Sequence, residues 1–187
     1  MGKENSDEEL MLGYQRGDVA AFTQLYERHK GGLYRYILRK CGNENTAEEM
    51  FQDVWMKLIR AREQYEVRAK FTTYLYQLAN NHCIDYYRKQ NSNNPLYPVA
   101  DDCEPENIPG RVQAQPENQV MLAQQTGRLM DLIEKLPEEQ QEAFILREEA
   151  GMSVAEIAEV TGVNTETAKS RLRYAVNKLR AGMKHYD

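Results

Sequence analysis

From Gln90 to Gln119 the chain reads QNSNNPLYPVADDCEPENIPGRVQAQPENQ, a stretch that holds five of the six prolines and more acids than bases. Proline lacks the amide donor that a helix needs, and its ring collides with the preceding turn. With few residues to bury, such a segment cannot join a core. On either side apolar residues recur at three- and four-residue spacings, in windows filled by Gln, Glu, Lys, Arg, Leu and Ala, and that period is helical. Strand signals are nearly absent. The expectation is an all-α chain of two small helical domains, 1–90 and 119–187, joined by a flexible acidic linker over 91–118. A length of 187 residues and 41% hydrophobic content are enough for two such cores.

The second half carries a more specific pattern. In GMSVAEIAEVTGVNTETAKSRLRYAVNKLR, Ser153 with Glu156 three residues on is a capping box, and Val154, Ile157 and Ala158 give an inward face. Gly162 stops that helix, and Asn164 is a good N-cap for the next. At 100° per residue, Ala168, Leu172, Ala175, Val176 and Leu179 share one face, while Glu166, Ser170, Arg173, Tyr174 and Asn177 lie opposite, flanked by Lys169 and Arg171. Two helices meeting at a short glycine-containing turn form the helix-turn-helix pattern, whose second helix enters the major groove. Ser, Arg and Glu can bond base edges there, and flanking cations meet phosphate.

Charge is divided accordingly. From Asn164 to Asp187 six cations face two acids, a net +4, whereas from Glu134 to Glu159 eight glutamates face two cations, a net −6. The whole chain is at −5. One local face is thus poised for DNA in a protein that overall repels it, and a helical hairpin whose polar face is simply solvated is the competing reading of this pattern.

In the first half, NTAEEMFQDVWMKLIRAREQY sets Ala47, Phe51, Val54, Trp55 and Leu58 on one helix face. Glu49, Gln52, Asp53, Met56 and Arg60 fall on the other, and a methionine among outward polar groups marks a docking surface. The next helix, in KFTTYLYQLANNHCIDYYRKQ, is expected to turn Phe71, Leu75, Leu78, Ala79, His82 and Tyr86 inward. Tyr76, Gln77, Asn80, Asn81, Tyr87 and Arg88 would form its outer surface, a mixture of rings, amides and a cation suited to unpaired bases. Ordinary packing is the competing role for the tyrosines.

No apolar run approaches the roughly 20 residues that span a bilayer, and Met1 to Leu10 is acidic where a secretory signal would be basic and then apolar. A cytoplasmic protein without membrane insertion is expected. Cys41, Cys83 and Cys103 are widely spaced and odd in number, which argues against a disulfide framework or a zinc site. No cofactor or metal is called for.

The order of AFTQLYERHKGGLYRYI, AEEMFQDVWMKLIR, FTTYLYQLANNHCIDYYRK, the acidic linker and LMDLIEKLPEEQQEAFILREEAGMSVAEIAEVTGVNTETAKSRLRYAVNKLR resembles the extracytoplasmic-function (ECF) sigma factors of the sigma-70 family. The resemblance implies a non-enzymatic transcription initiation factor whose first domain grips the β′ clamp helices of core RNA polymerase and melts the minus-ten promoter element. Its second domain would sit on the β flap and read the minus-thirty-five element. By position, Glu49, Gln52, Asp53 and Met56 fall in the polymerase-binding helix, and REQYEVRAK in the loop that captures a flipped minus-ten base. Tyr76, Asn80, Asn81, Arg88 and Lys89 lie on the minus-ten helix. Glu166, Lys169, Ser170, Arg171, Arg173 and Tyr174 take the minus-thirty-five positions. Tyr74 stands where relatives often carry tryptophan, and Tyr174 where a basic residue is common. The linker acids Asp101, Asp102, Glu104 and Glu106 suit a basic channel normally occupied by RNA. The family also implies an anti-sigma factor partner, often at the membrane, and a role in stress response.

Other readings start from parts of the chain. A helix-turn-helix regulator that is not a polymerase subunit would share the terminal pattern, but a receiver domain needs alternating strands and helices that the first half lacks. A nucleophilic enzyme could be built on His82 and Cys83, yet no third positioned group accompanies them. A helical adaptor is the remaining class.

Overall fold

The computed structural model describes residues 5–93 and 127–184. The expected linker 91–118 lies outside them, except for 91–93. Every regular element among the described residues is helical. Two compact units divide the chain, one holding the helices up to residue 93 and the other most of what lies from 127 onward.

The first unit comprises α1 (Asp7–Gln15), α2 (Val19–Cys41), α3 (Glu44–Ala61), a single 3-10 turn (Arg62–Gln64) and α4 (Phe71–Asn93). Its boundaries follow from local chemistry. Ser6 and Glu9 form a reciprocal capping box at α1, and the Asp18 and Asn43 side chains accept from the first-turn amides of α2 and α3. These amides have no partner inside the helix, so each cap satisfies a group that would otherwise be orphaned. Gly42 closes α2 at φ +64°, a left-handed conformation that costs a residue without a Cβ little. The core draws on all four helices through Met11, Leu25, Leu33, Ile37, Met50, Leu58, Phe71 and Leu75, each fully buried. Around Trp55 stand Tyr26, Phe22 and Phe51, with ring centroids 5.0, 5.8 and 6.2 Å away in edge-on arrangements, which the ring quadrupole favours.

The second unit runs through a helix ending at 134 (α5), then α6 (Glu138–Ala150), α7 (Val154–Thr161) and α8 (Thr165–Lys184). Ile133, Leu136, Ala175 and Leu179 join α5 to α8, with Leu129, Leu132 and Phe144 packed against them. Met152, Ile157, Ala158 and Ala168 are buried as well. The helix-turn-helix is locally specified as its sequence implies. Ser153 N–H donates to Glu156 and Glu156 N–H to the Ser153 hydroxyl, Gly162 takes φ +68°, and Thr167 N–H donates to Asn164 Oδ1 at 2.8 Å.

Candidate functional site

Two outward faces and one loop carry the groups that the sequence singled out. On α3, Ala47, Val54, Trp55 and Leu58 are buried and Phe51 is half-buried, which leaves Glu49, Gln52, Asp53, Met56 and Arg60 exposed together. Met56 is 43% exposed. An apolar side chain is thus held in water by the helix beneath it, beside an amide and two carboxylates.

Asp53 also faces α4. His82 Nδ1 lies 2.7 Å from Lys57 Nζ, and its Nε2 lies 3.3 Å from Asp53 Oδ2 without the angle of a hydrogen bond. An ammonium can only donate, so Nδ1 is the acceptor and the ring is neutral with its proton on Nε2, toward the carboxylate. Burial holds the imidazole below its usual pKa and Lys57 pushes the same way, while Asp53 and Asp85 oppose them. An unfolded histidine titrates near 6.5. Below that pH the unfolded chain takes up a proton that the folded site resists, so this contribution to stability is complete above about 6.5 and falls as pH drops toward the folded value. Thermal unfolding followed from pH 7.5 to 5.5 should therefore show a shallower pH slope in His82→Gln than in the parent chain. Equal slopes would remove His82 from the account.

Along α4 the structure corrects the expected outer face. Asn81, Tyr87, Arg88 and Lys89 are exposed, but Tyr76 is 2% exposed and Asn80 4%. The Tyr76 ring meets Tyr36 edge-on at 5.2 Å, and Asn80 Oδ1 accepts from Lys40 Nζ at 2.7 Å and from the Tyr36 hydroxyl at 3.3 Å. Tyr76 is a packing residue, and Asn80 is the satisfied polar centre of the α2 contact. Of the residues placed inward, Phe71, Leu75 and Ala79 are buried and Leu78, His82 and Tyr86 half-buried.

The loop between the 3-10 turn and α4 has a buried root and an exposed tip. Tyr65 is 6% exposed, its ring 5.4 Å from Tyr74 and 6.4 Å from Phe71, and burial pushes its hydroxyl up to about 12. Beyond it Val67 is 51% exposed, and Glu66, Arg68 and Lys70 are exposed around it, with Arg68 paired to Glu66 at 2.6 Å.

On α8, Ala168, Ala175 and Leu179 are buried and Leu172 and Val176 half-buried. Glu166, Lys169, Arg173, Tyr174 and Asn177 are exposed and Ser170 is half-buried. The Arg173 guanidinium lies 5.3 Å over the Tyr174 ring, a cation–π contact that steadies an exposed cation. Arg171, expected with this face, turns to α6, where its Nη2 lies 3.0 Å from Glu139. It braces α8 against α6.

The cysteines do not make a reactive centre in this arrangement. Burial pushes the Cys41 thiol up to about 11, which keeps it protonated at neutral pH and poorly nucleophilic. Cys83 is buried with its sulfur 3.8 Å from that of Met50. Cys103 lies outside the described residues.

The two units answer to two family models in matching order: sigma-70 region 2 over residues 25–93 and sigma-70 region 4 over residues 126–179. The chain belongs to the sigma-70 family. It is 29% identical to the ECF RNA polymerase sigma-E factor of Haemophilus influenzae, across 92% of each chain. It is 25% identical to the ECF sigma factor SigW of Bacillus subtilis, across 89% of this chain and 90% of the other. Among solved structures, the sigma factor RpoE of Bartonella quintana, in complex with the anti-sigma factor NepR, has a similar fold, with a TM-score of 0.64 at 21% identity over 90% of this chain and all of that one. CnrH, in complex with the cytosolic domain of CnrY, gives 0.63 at 22% identity over 98% and 100%. The chain is accordingly a sigma factor of the ECF type, and the reading as a regulator outside the polymerase is not favoured.

Proposed function

We propose that this sigma factor brings core RNA polymerase to its promoters through surfaces that are separate in sequence and in structure. The α3 face of Glu49, Gln52, Asp53 and Met56 docks on the β′ clamp helices. The exposed tip of the loop before α4 takes a flipped minus-ten base, and Asn81, Arg88 and Lys89 follow the strand. Glu166, Lys169, Ser170, Arg173 and Tyr174 of α8 meet the minus-thirty-five element while the second domain rests on the β flap. Residues 1–90 carry docking and melting, 119–187 carry upstream recognition, and 91–118 connect them through the basic channel of the polymerase. All of this is binding and positioning, with no covalent chemistry assigned to the chain. No helix among the described residues is long and apolar enough to cross a membrane, which suits a factor that works beside the polymerase in the cytoplasm. In one similar structure the sigma factor RpoE is in complex with the anti-sigma factor NepR, and restraint by an anti-sigma factor extends that pairing here.

The observation that carries this proposal is the coexistence of an exposed, acid-lined docking face on α3 with an exposed cationic face on α8, in a chain of net charge −5. Net acidity limits how many phosphates the free protein can neutralise, so promoter recognition should depend on the polymerase supplying the remaining cations. In vitro transcription with core polymerase on a genomic fragment library should give starts confined to a small set of fragments that share two elements. The free protein should shift none of those fragments tightly in a gel. Tight, sequence-specific binding by the isolated chain would favour the helix-turn-helix regulator instead.

A further inference from the structure

The loop before α4 is held at both ends by a single face of α1. Glu8 and Gln15 are seven residues apart, two helical turns, and so point the same way. At the near end, Gln15 Nε2 donates to the carbonyls of Glu63 (3.0 Å) and Tyr65 (3.1 Å). Its amide carries two N–H groups, enough for both, and the end of the 3-10 turn leaves such carbonyls without helical partners. At the far end, Glu8 Oε1 accepts from Phe71 N–H at 2.8 Å. A carboxylate there caps α4 and meets the positive end of its dipole. Burial works to raise the Glu8 carboxyl, but the N–H groups of Phe71 and of Glu8 itself and the Ser6 hydroxyl outweigh it, and the net shift is downward. The Arg62 guanidinium, 5.5 Å over the Tyr14 ring, adds a third tie to the same helix. Between these ties the Tyr65 ring fills the root, and the tip from Glu66 to Arg68 is exposed.

We propose that Glu8 and Gln15 are positioning residues for promoter melting, because α1 fixes both ends of the loop that takes the unpaired base. This rests on the base-capture role assigned to the loop above. A loop whose ends are already fixed loses less conformational freedom when it grips a base, so more of the contact energy opposes re-stacking. A loop tied at one end only would give part of that energy back.

The test uses holoenzyme reconstituted from the full chain and core polymerase, on a promoter from the library carrying an abasic site at each non-template minus-ten position in turn. With the parent chain, one position should stand out, its loss slowing promoter opening by about tenfold, the scale of a few hydrogen bonds and a stacking contact. Gln15→Met keeps length and helix propensity but removes the donor, and Glu8→Ala removes the far tie. Both should shrink the penalty at that one position to about twofold or threefold, as expected for the loss of one or two hydrogen bonds, with the other positions and core affinity unchanged. Glu8→Gln, which keeps an acceptor for Phe71 N–H, should retain most of the penalty. A full penalty retained by Gln15→Met overturns the positioning role and leaves base capture standing. A parent chain with no distinctive position overturns both. A variant that slows opening equally at every position would show general destabilisation and also overturn the proposal.

Discussion

Leu58→Ala is expected to destabilise the first unit by about 2–5 kcal/mol, the range for deleting a fully buried leucine side chain whose surroundings collapse only in part. Leu58 is 0% exposed and sits one turn beyond Trp55 on the inward face of α3. Trp55 is the chain's only tryptophan and lies in that same core, so its emission reports the unfolding of this unit alone. For a domain of this size each kcal/mol moves the midpoint by about 4–8 °C, so the red shift of Trp55 should come about 10 °C or more earlier. Val19→Ala is the matched control. Val19 is 68% exposed and should change the midpoint by no more than about 0.5 kcal/mol. A Leu58→Ala chain with an unchanged Trp55 transition would mean that α3 does not pack as described.

Where one face of a helix is buried and the other wet, a 100° projection of the sequence separates them cleanly. On α3 and α8 the residues assigned inward are buried or half-buried, and the outward ones are exposed with few exceptions. The caps at Ser153 and Asn164 were equally legible, because a cap is a contact between residues three apart. Helix α4 shows where this stops. It packs against α1, α2 and α3, so more than one of its faces is covered, and a single-face projection puts Tyr76 and Asn80 in water when they are buried against Tyr36 and Lys40 of α2. Polar ties between distant segments leave no period at all. Arg171 and Glu139 are 32 positions apart, and Gln15 reaches Glu63 and Tyr65 across 48 and 50. In sequence Glu8 is one of three acids in the first turn of α1, where acids are ordinary. Only the fold shows it capping a different helix.

The second large effect separates docking from reading. Arg173 is exposed on α8 and stacked over Tyr174, away from the buried Ala168 and Ala175, so Arg173→Ala should leave folding and polymerase affinity intact. Loss of a good base contact costs about 1–3 kcal/mol, which should weaken initiation about tenfold or more at promoters that depend on the upstream element. Gln52→Ala combined with Asp53→Ala acts on the other surface. Both side chains are exposed on α3, and if the proposed docking face is the interface, truncating two of its groups should lower core affinity by about tenfold or more. Transcription should then fall at every promoter by a similar factor, since all of them require the same holoenzyme. Asp53 also lies beside His82, so the double variant is compared with the parent at matched thermal stability. Competition between labelled parent and each variant for limiting core polymerase measures the first effect, and transcription from two promoters with strong and weak upstream elements measures the second. If Arg173→Ala lowers polymerase affinity as much as the α3 pair does, the two surfaces are not separate and the division of labour between the units is wrong.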